Sequence, residues 1–532
     1  MANYLPEVFA PAERATLERY FTNVDEPVFC LQNVPQELAA ALFARYSRSS
    51  KSLRRIFLDE FAHDLDPVST HVSLGTGSRT RALMGRVIGD YGDDSVAQLA
   101  TTHVAVEQVS TVLTRTLERH RLLSFLEQST RYVNLSSLRE DGSLRAVIPE
   151  EFAGELRRHY HQIIAQEFDL YATVFDAMKA RFTQDVPTDD MARVRAARAA
   201  ALDSARGCLP MATMTNVGIV GSAQALEYLV VRLRSIGSYE SLYTADAIAR
   251  EVTKVLGLLV GRMDRPDRGG RWTTYLAQRQ ANIEALVDPS WPEEPVQRSP
   301  TPYWAPSVRL LGYEPQSDAE LIPWMLYEQS GVSFAECERR ARELSDAQRV
   351  EIFRAYSGDR ENRRHKPSRA WEMSSYTFEI ETDYGSYRDL ARHRLLTLLE
   401  QDPVAIAGYQ VDPALADEGL LEAIDPVFDA AFRFAEDLHD TVVAPTARMV
   451  LPLAARVRFA VKLNARELLH LVELRSQPQG HPVYRTIAQE MYRSLDRIGH
   501  HHLAAAMRFV DTESYLLGRR VQEERLIEKL GN

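Results

Sequence analysis

The chain has 532 residues, of which 45% are hydrophobic and 26% are charged, an ordinary composition for a globular protein. Its net charge of −11 disfavours nucleic-acid binding, and its apolar stretches are too short to span a bilayer. The three cysteines show no paired spacing, which argues against a disulfide or zinc framework. No charged-then-apolar leader opens the sequence, and the unpaired cysteines fit a reducing environment, so we expect a cytoplasmic protein. We also expect no membrane partner and no bound metal.

Hydrophobic periodicity predicts a mostly helical chain with a few strands. Val104 and Val106 indicate a weak strand in the first half. Residues 376–381 alternate between apolar and polar side chains and predict a clear strand in the second half. We therefore expect an α+β fold with a small antiparallel or mixed sheet in each half and helices packed against it. The long amphipathic stretches are 37–61, 150–183, 239–262, 416–443, 457–475 and 501–529.

A repeated phrase indicates that the chain is a tandem duplication. Residues 119–128 read RHRLLSFLEQ and residues 392–401 read RHRLLTLLEQ, with eight identical positions. The proline-rich stretch 286–318 predicts a linker between a first repeat, 1–285, and a second, 319–532. Packing alone could preserve such a phrase, but Arg and His are poor core residues without partners.

The phrase and the residues after it suit an anionic ligand. We expect the basic triplet at 119–121 to lie on a helix and to reach two anionic groups, such as the phosphates of a dinucleotide cofactor and of a nearby nucleotide. Glu127, Ser129 and Arg131 then alternate, as suits an extended loop that presents an acceptor, a hydroxyl and a guanidinium to one nucleotide. A solvated charged loop is the alternative interpretation.

The pattern Arg-His-Arg, seven residues, then Ser and x-Arg-Tyr occupies 119–132 and resembles the signature of flavin-dependent thymidylate synthases. The second half adds Trp371-Glu372 before the clear strand. Further on it has Arg448 before Leu-Pro, then an Asn-x-Arg motif at 464–466 and Leu-Arg at 474–475, at the spacing usual in that family. Both halves resemble the family over most of their length.

The resemblance implies a reductive methylation of dUMP to dTMP without a cysteine nucleophile. It implies FAD as the cofactor, methylenetetrahydrofolate as the one-carbon donor and NADPH as the reductant. Two alternative functions remain open. One is the same chemistry on another pyrimidine nucleotide, and the other is a degenerate, non-catalytic protein that binds flavin or nucleotide. Because the family works as a homotetramer, two fused repeats imply a homodimer with the shape of a pseudo-tetramer.

Each half has lost motif residues that the other keeps. The second half has Asp402 and Val404 in place of the serine and arginine of the loop. Conversely, the first half has Ser222 and Gln224 in place of the Asn-x-Arg motif. The simplest account is one composite site, in which the first-half loop meets the second-half Arg-His-Arg. The opposite composite would bring Asp402 near a phosphate, where like charges repel.

The resemblance also assigns roles to single residues. Arg475 is the catalytic candidate, expected to stabilise negative charge on the uracil ring. Three positions depart from the family: residues 92–95 replace a His-containing flavin motif, Asp389 replaces a Gln and His470 an Asn. The expected substrate-binding residues are Glu127, Gln128, Ser129, Arg131, Arg206, Asp389 and Arg392. The expected cofactor-binding residues are Arg119, His120, Arg121, Glu372, Arg392, His393, Arg394, Asn464, Arg466 and His470.

Overall fold

A computed structural model describes residues 4–62, 94–184, 186–187, 189–287, 305–406, 408–438 and 441–531. Residues 92 and 93 of the altered flavin motif and residues 288–304 of the predicted linker lie outside this set. Among the described helices, none is both long and apolar enough to cross a bilayer.

The chain forms two compact units, and each unit takes a segment from the other half of the sequence. Unit 1 comprises Met1–Tyr171, Leu209–Pro295 and Ile424–Pro452. Unit 2 comprises Ala172–Cys208, Val296–Ala423 and Leu453–Asn532. The boundaries of the two repeats themselves stay a prediction.

The described part of unit 1 contains a four-stranded antiparallel sheet in the order β1-β2-β4-β3. Residues along each strand alternate between two apolar layers. Val104 and Val106 pack under helices Ala223–Ile236 and Tyr239–Leu256, whereas Ala105 between them packs with the N-terminal helices. The strands are β1 Val28–Cys30, β2 Thr101–Ser110, β3 Leu123–Glu127 and β4 Met214–Ser222.

The described part of unit 2 repeats this arrangement in the order β5-β6-β8-β7, so the α+β prediction is confirmed. The predicted strand at 376–381 is the centre of β6, where Tyr376, Phe378 and Ile380 are buried on one face. The first strand of this sheet lies inside the stretch predicted to be a linker. The strands are β5 Ser307–Glu314, β6 Ser375–Asp383, β7 Thr397–Glu400 and β8 Arg456–Leu463.

Helices cover the sheets and connect the strands. The described α-helices in the first half of the sequence are Pro11–Tyr20, Gln36–Tyr46, Leu53–Ile56, Asp94–Ala97, Thr111–Glu118, Gly154–Thr183, Met191–Ala205, Ala223–Ile236, Tyr239–Leu256 and Arg271–Glu284. Those in the second half are Ile322–Ser330, Phe334–Glu343, Asp346–Ser357, Tyr384–Leu390, Pro403–Ile406, Ala414–Asp417, Leu421–Leu438, Ala444–Arg448, Ala465–Arg475, Pro482–Arg497, His501–Ala506 and Arg520–Gly531.

Two secondary-structure predictions are wrong. The Arg-His-Arg triplets do not lie on helices: the preceding helices end at Glu118 and Leu390, and each triplet leads into an edge strand. The amphipathic stretch 457–475 is strand β8 followed by a helix that begins at Ala465. In both places cross-strand pairing prevails over a sequence pattern that is also compatible with a helix.

A buried ion pair fixes helix Ala465–Arg475 within unit 2. Arg360 donates from Nη1 to Glu473 Oε1 at 2.7 Å and also to the carbonyl oxygen of Ala506 at 2.8 Å. The side chains of Arg360 and Glu473 are 2% and 0% exposed. The pair therefore couples this helix to the segment that contains Arg360 and to the end of helix His501–Ala506.

Removing one member of this pair should destabilise unit 2 strongly. Arg360→Met leaves the Glu473 carboxylate buried and uncompensated, which costs about 3–5 kcal/mol of unfolding free energy. Arg339→Ala, which removes an exposed pair with Glu336, is the matched control and should change the free energy of unfolding little, because water screens exposed ion pairs. Thermal unfolding measures both, and equal melting temperatures for the two variants would contradict the proposed anchoring role.

Candidate active site

The second Arg-His-Arg triplet forms a turn between a helix and an edge strand. Asp383 caps the helix Tyr384–Leu390 by accepting a hydrogen bond from the backbone N–H of Ser386. After the helix ends, His393 turns inward and is 6% exposed, whereas Arg392 on one side is exposed and Arg394 on the other is partly exposed. The triplet thus places two guanidinium groups on either side of a buried imidazole.

His393 is held between an arginine and a carboxylate. Arg475 Nε donates to His393 Nε2 at 3.0 Å, and His393 Nδ1 lies 3.0 Å from Glu467 Oε1. Since an arginine can only donate, Nε2 must accept, and the neutral ring therefore carries its proton on Nδ1 and donates it to Glu467. This chain of two hydrogen bonds fixes both the ring and the guanidinium of the predicted catalytic residue.

Burial and nearby cations keep this cluster from gaining positive charge. Burial, assisted by Arg475 and Lys366, holds the pKa of His393 well below its usual value. Burial also lowers the pKa of His470 to about 4 and raises that of Glu467. Oxygen and nitrogen atoms of His393, Glu467 and His470 lie within 4.8 Å of one another, as in a metal site, but the surrounding cations disfavour a metal ion.

Arg206 and Asp389, both predicted to bind substrate, lie together in unit 2. Arg206 Nη1 contacts Asp389 Oδ2 at 3.1 Å, and its Nη2 lies 3.3 Å from Ser386 Oγ and 4.0 Å from Asp383 Oδ1. Asp389 also acts electrostatically on Arg475. Arg206 comes from the first half of the sequence and Asp389 from the second, so this unit joins residues of both halves.

The Asn-x-Arg motif begins the helix after β8. Asn464 is the N-cap, and its Oδ1 accepts a hydrogen bond from the backbone N–H of Glu467 at 2.9 Å. Arg466 donates to the carbonyl oxygen of Pro367 at 2.8 Å and pairs with Glu372 at 3.1 Å. Three of the residues predicted to bind the cofactor, Asn464, Arg466 and Glu372, therefore lie together at the start of this helix.

A cavity of about 260 Å³ lies beside Arg206 in unit 2. Its lining includes Asp383, His481, Arg485 and Arg519. His481 is the N-cap of helix Pro482–Arg497, where its Nδ1 accepts from the backbone N–H of Val483 at 3.4 Å. This histidine thus caps a helix and also faces the cavity.

The first-half loop belongs to unit 1. Glu127 ends β3 and accepts a hydrogen bond from Thr114 Oγ1 at 3.1 Å. Gln128 and Ser129 donate from their backbone N–H groups to Asn216 and Ser47. The backbone then turns, since the carbonyl oxygen of Ser129 accepts from residues 132 and 133, so the loop is not extended throughout as predicted. Arg131 follows on this turn, and its role in binding stays a prediction.

The corresponding loop of the second half has a different structure. Asp402 Oδ1 accepts a hydrogen bond from the backbone N–H of Val404 at 3.0 Å, and Val404 is 6% exposed in the short helix Pro403–Ile406. Asp402 thus serves as a local cap, and Val404 serves as a core residue.

The first Arg-His-Arg triplet also follows a helix and lines a cavity in unit 1, together with Arg232. Arg234, which lies one residue from the position of Arg475 in the first repeat, pairs instead with Asp246 and Asp264 at 2.8 Å each. The corresponding helices of the two repeats begin at Ala223 and Ala465, which are 242 residues apart. The same offset makes Leu233, not Arg234, the counterpart of Arg475.

Sequence reasoning missed three residues of the second-repeat cluster. Glu467 fixes the His393 tautomer, Tyr484 lies with its ring 5.4 Å from the Arg475 guanidinium, and Lys366 acts electrostatically on both histidines. The i, i+3 spacing of Glu467 and His470 on one helix was the available signal. Nothing in the sequence pointed to Tyr484 or Lys366.

The fold and the site define a duplicated α+β protein with a cluster of arginine and histidine side chains in its second unit. The thymidylate synthase complementing protein family matches residues 31–256 and 310–498. A UPF0159 protein of Chlamydia pneumoniae is 30% identical over 98% of both chains. A flavin-dependent thymidylate synthase of Geobacter sulfurreducens is 31% identical over 23% of this chain and 56% of its own.

The chain therefore belongs to the thymidylate synthase complementing protein family, and the predicted resemblance is confirmed. Its membership also confirms the predicted enzyme class, a thymidylate synthase-like methyltransferase. A solved structure, the UMP/dUMP methylase PolB of Streptomyces cacaoi bound with 5-Br dUMP, covers 40% of this chain and 99% of its own with 17% identity and a TM-score of 0.33, a likeness too low to support a functional argument.

The neutral state of His470 should make the stability of the protein sensitive to acid. An unfolded histidine ionises near about pH 6.5, and the folded pKa is about 4, so protonation favours unfolding. Stability from neutral His470 is therefore complete above pH 6.5 and is lost as pH falls towards 4. His470→Asn should lose less melting temperature over this window than the parent.

The exposed residue His501, at the start of helix His501–Ala506, provides the control. His501→Asn should follow the parent throughout the same window. The role assigned to His470 is wrong if the melting temperatures of His470→Asn and the parent fall in parallel.

Proposed function

We propose that the protein catalyses the FAD-dependent reductive methylation of dUMP to dTMP, with methylenetetrahydrofolate as one-carbon donor and NADPH as reductant. In the balanced reaction, C5 of the uracil loses its proton and gains a methylene, which a hydride reduces to methyl while tetrahydrofolate and NADP⁺ leave. The flavin, when bound, supplies the hydride that NADPH provides. The observation that carries the proposal is the hydrogen-bonded chain Arg475–His393–Glu467 beside the pair Arg206–Asp389.

Arg475 has the geometry of a preorganised cation. Its Nε donates to His393, and its guanidinium lies over the Tyr484 ring and also forms a hydrogen bond with that side chain. Because His393 is neutral, it orients Arg475 without adding a second charge. Arg475 can then stabilise the negative charge that develops on the uracil ring as C5 becomes nucleophilic.

The residues proposed to hold the flavin fit an anionic dinucleotide. Arg392 and Arg394 flank the buried His393, and two guanidinium groups so placed suit a pyrophosphate. Arg466, positioned by Glu372 and by Asn464 at the helix start, supplies a third cation, and His470 lies one turn further along. We propose that these residues of the second repeat make up the cofactor contacts of the live site.

We propose that residues of both repeats build one live substrate site. Arg206 of the first repeat lies beside Asp389 of the second, which supports this part of the proposal. Glu127, Gln128, Ser129 and Arg131 are the further substrate contacts that we propose. We also propose that the protein is a homodimer, because two fused repeats replace two subunits of the family's tetramer. We propose that it acts in the cytoplasm.

One observation favours a second candidate, the same chemistry on a different pyrimidine nucleotide. Arg206 is already paired with Asp389 and lies 4.0 Å from Asp383, so its charge is compensated before a ligand binds. A carboxylate at position 389 also offers an acceptor that can bind a sugar hydroxyl. Binding of UMP and dUMP to the same protein separates the two candidates.

Flavin binding should depend on the second repeat. Arg466→Ala removes a cation from the proposed flavin site and should release FAD, measured as loss of flavin absorbance from the purified protein. Gln224→Ala alters the corresponding residue of the first repeat and is the matched control. Release of flavin by Gln224→Ala but not by Arg466→Ala would reverse the assignment of the repeats.

Nucleotide binding should depend on Arg131. Losing a charge-assisted hydrogen bond in a partly dry site costs roughly 2–4 kcal/mol, about 30- to 1,000-fold in affinity. Arg131→Ala should therefore show that loss in calorimetric titration with dUMP, against one nucleotide per chain at the proposed substrate site of the parent.

The corresponding residue of the second repeat, Val404, offers no polar group and is buried. Val404→Ala should leave dUMP affinity nearly unchanged. Two equivalent sites per chain, or full affinity in Arg131→Ala, would show that the live site is built from other residues.

A further inference from the structure

Unit 1 contains a cavity of about 760 Å³ that the proposed reaction does not use. It lies between the first Arg-His-Arg triplet, helix Ala223–Ile236 and the start of helix Arg271–Glu284. Its volume is within the roughly 300–1,000 Å³ typical of small-molecule and cofactor sites. The cavity is large enough for a ligand of nucleotide size.

The lining of this cavity is strongly basic. It has one carboxylate, Glu227, which pairs with an arginine at 2.8 Å. The whole chain has a net charge of −11, so the excess of positive charge here is local. An anion is the ligand that such a lining favours. The arginines that line it are Arg119, Arg121, Arg232, Arg262 and Arg268.

The histidine of the first triplet has lost the partners that its counterpart keeps. Counting 242 residues back from Glu467 and Arg475 gives Ala225 and Leu233, neither of which can form a hydrogen bond through its side chain. His120 lines the cavity and is 4% exposed, and its Nε2 has no hydrogen-bond partner among the residues that the structure describes. A buried polar nitrogen of this kind calls for a partner from a ligand.

Aromatic rings complete the cavity. Tyr228, the counterpart of His470, has its ring 5.2 Å from that of His120 and stacks on Trp272 at 5.0 Å with an interplanar angle of 24°. Trp272 is 45% exposed, so part of its ring is available to a further planar group. Indole and phenol rings bind heteroaromatic bases in this way with little dependence on the base.

We propose that this cavity is a second, non-catalytic nucleotide site, in which a base stacks on Trp272 while the phosphate groups meet the arginines and His120. It does not catalyse the reaction, because alanine stands here in place of Glu467, which orients the histidine, and leucine in place of Arg475, the proposed catalytic cation. The site is independent of the proposed function and exists whether or not unit 2 methylates a nucleotide. Ligand binding near Trp272 can therefore be measured separately from the reaction.

Tryptophan fluorescence of the full chain, titrated with dUMP and separately with FAD, tests the proposal. We expect a saturable quench with at least one of the two, lost in Trp272→Phe. Trp324→Phe, in a helix of unit 2, is the matched control and should keep the quench. Arg466→Ala should also keep it, which separates this site from the flavin site proposed for unit 2.

The anion-binding side is tested by Arg232→Ala and, in case that variant fails to fold, by the exposed Arg268→Ala. Either should weaken the nucleotide about tenfold or more, the effect of losing a charge-assisted hydrogen bond. Inorganic pyrophosphate should compete only weakly, since it has no ring.

Three results would overturn the proposal. The first is no saturable quench with either nucleotide, and the second is an unchanged quench in Trp272→Phe. The third is a quench that follows protein concentration rather than nucleotide, which would mean that a second copy of the chain covers the cavity.

Discussion

The site in unit 2 depends on one hydrogen-bonded chain, Arg475 to His393 to Glu467. It has a direction, because an arginine only donates and a carboxylate only accepts, and the imidazole between them must be neutral with its proton on Nδ1. Burial keeps it neutral by lowering the pKa of His393. The chain fixes the ring and the guanidinium at once, so a cation is held ready for a ligand without further reorganisation.

That chain depends in turn on how helix Ala465–Arg475 is placed. The helix starts directly after the central strand β8 and is capped by Asn464, so its first turn points towards the Arg-His-Arg turn. Its far end is held by the buried pair between Glu473 and Arg360. Glu467, His470 and Arg475 are therefore positioned by both ends of one helix, which is more rigid than a loop could be.

The sequence predicted the duplication, the central strand β6 and most of the charged residues of this site, because each leaves a local pattern. It misplaced both triplets on helices, since a short apolar run such as LLTLLE is compatible with helix and strand, and pairing with β8 decides between them. It missed the pair of Arg360 with Glu473, which joins residues 113 positions apart.

The corresponding junction in unit 1, between β4 and helix Ala223–Ile236, shows a physical consequence of divergence between the two repeats. Replacing a glutamate by Ala225 and an arginine by Leu233 removes both partners of a buried histidine and empties the space that they would fill. An apolar void would have been filled by larger side chains, since empty core volume is costly. This cavity instead keeps five arginines and an exposed tryptophan face. An excess of positive charge around an open cavity attracts an anion, so the lining is better explained by a ligand than by loss of function alone.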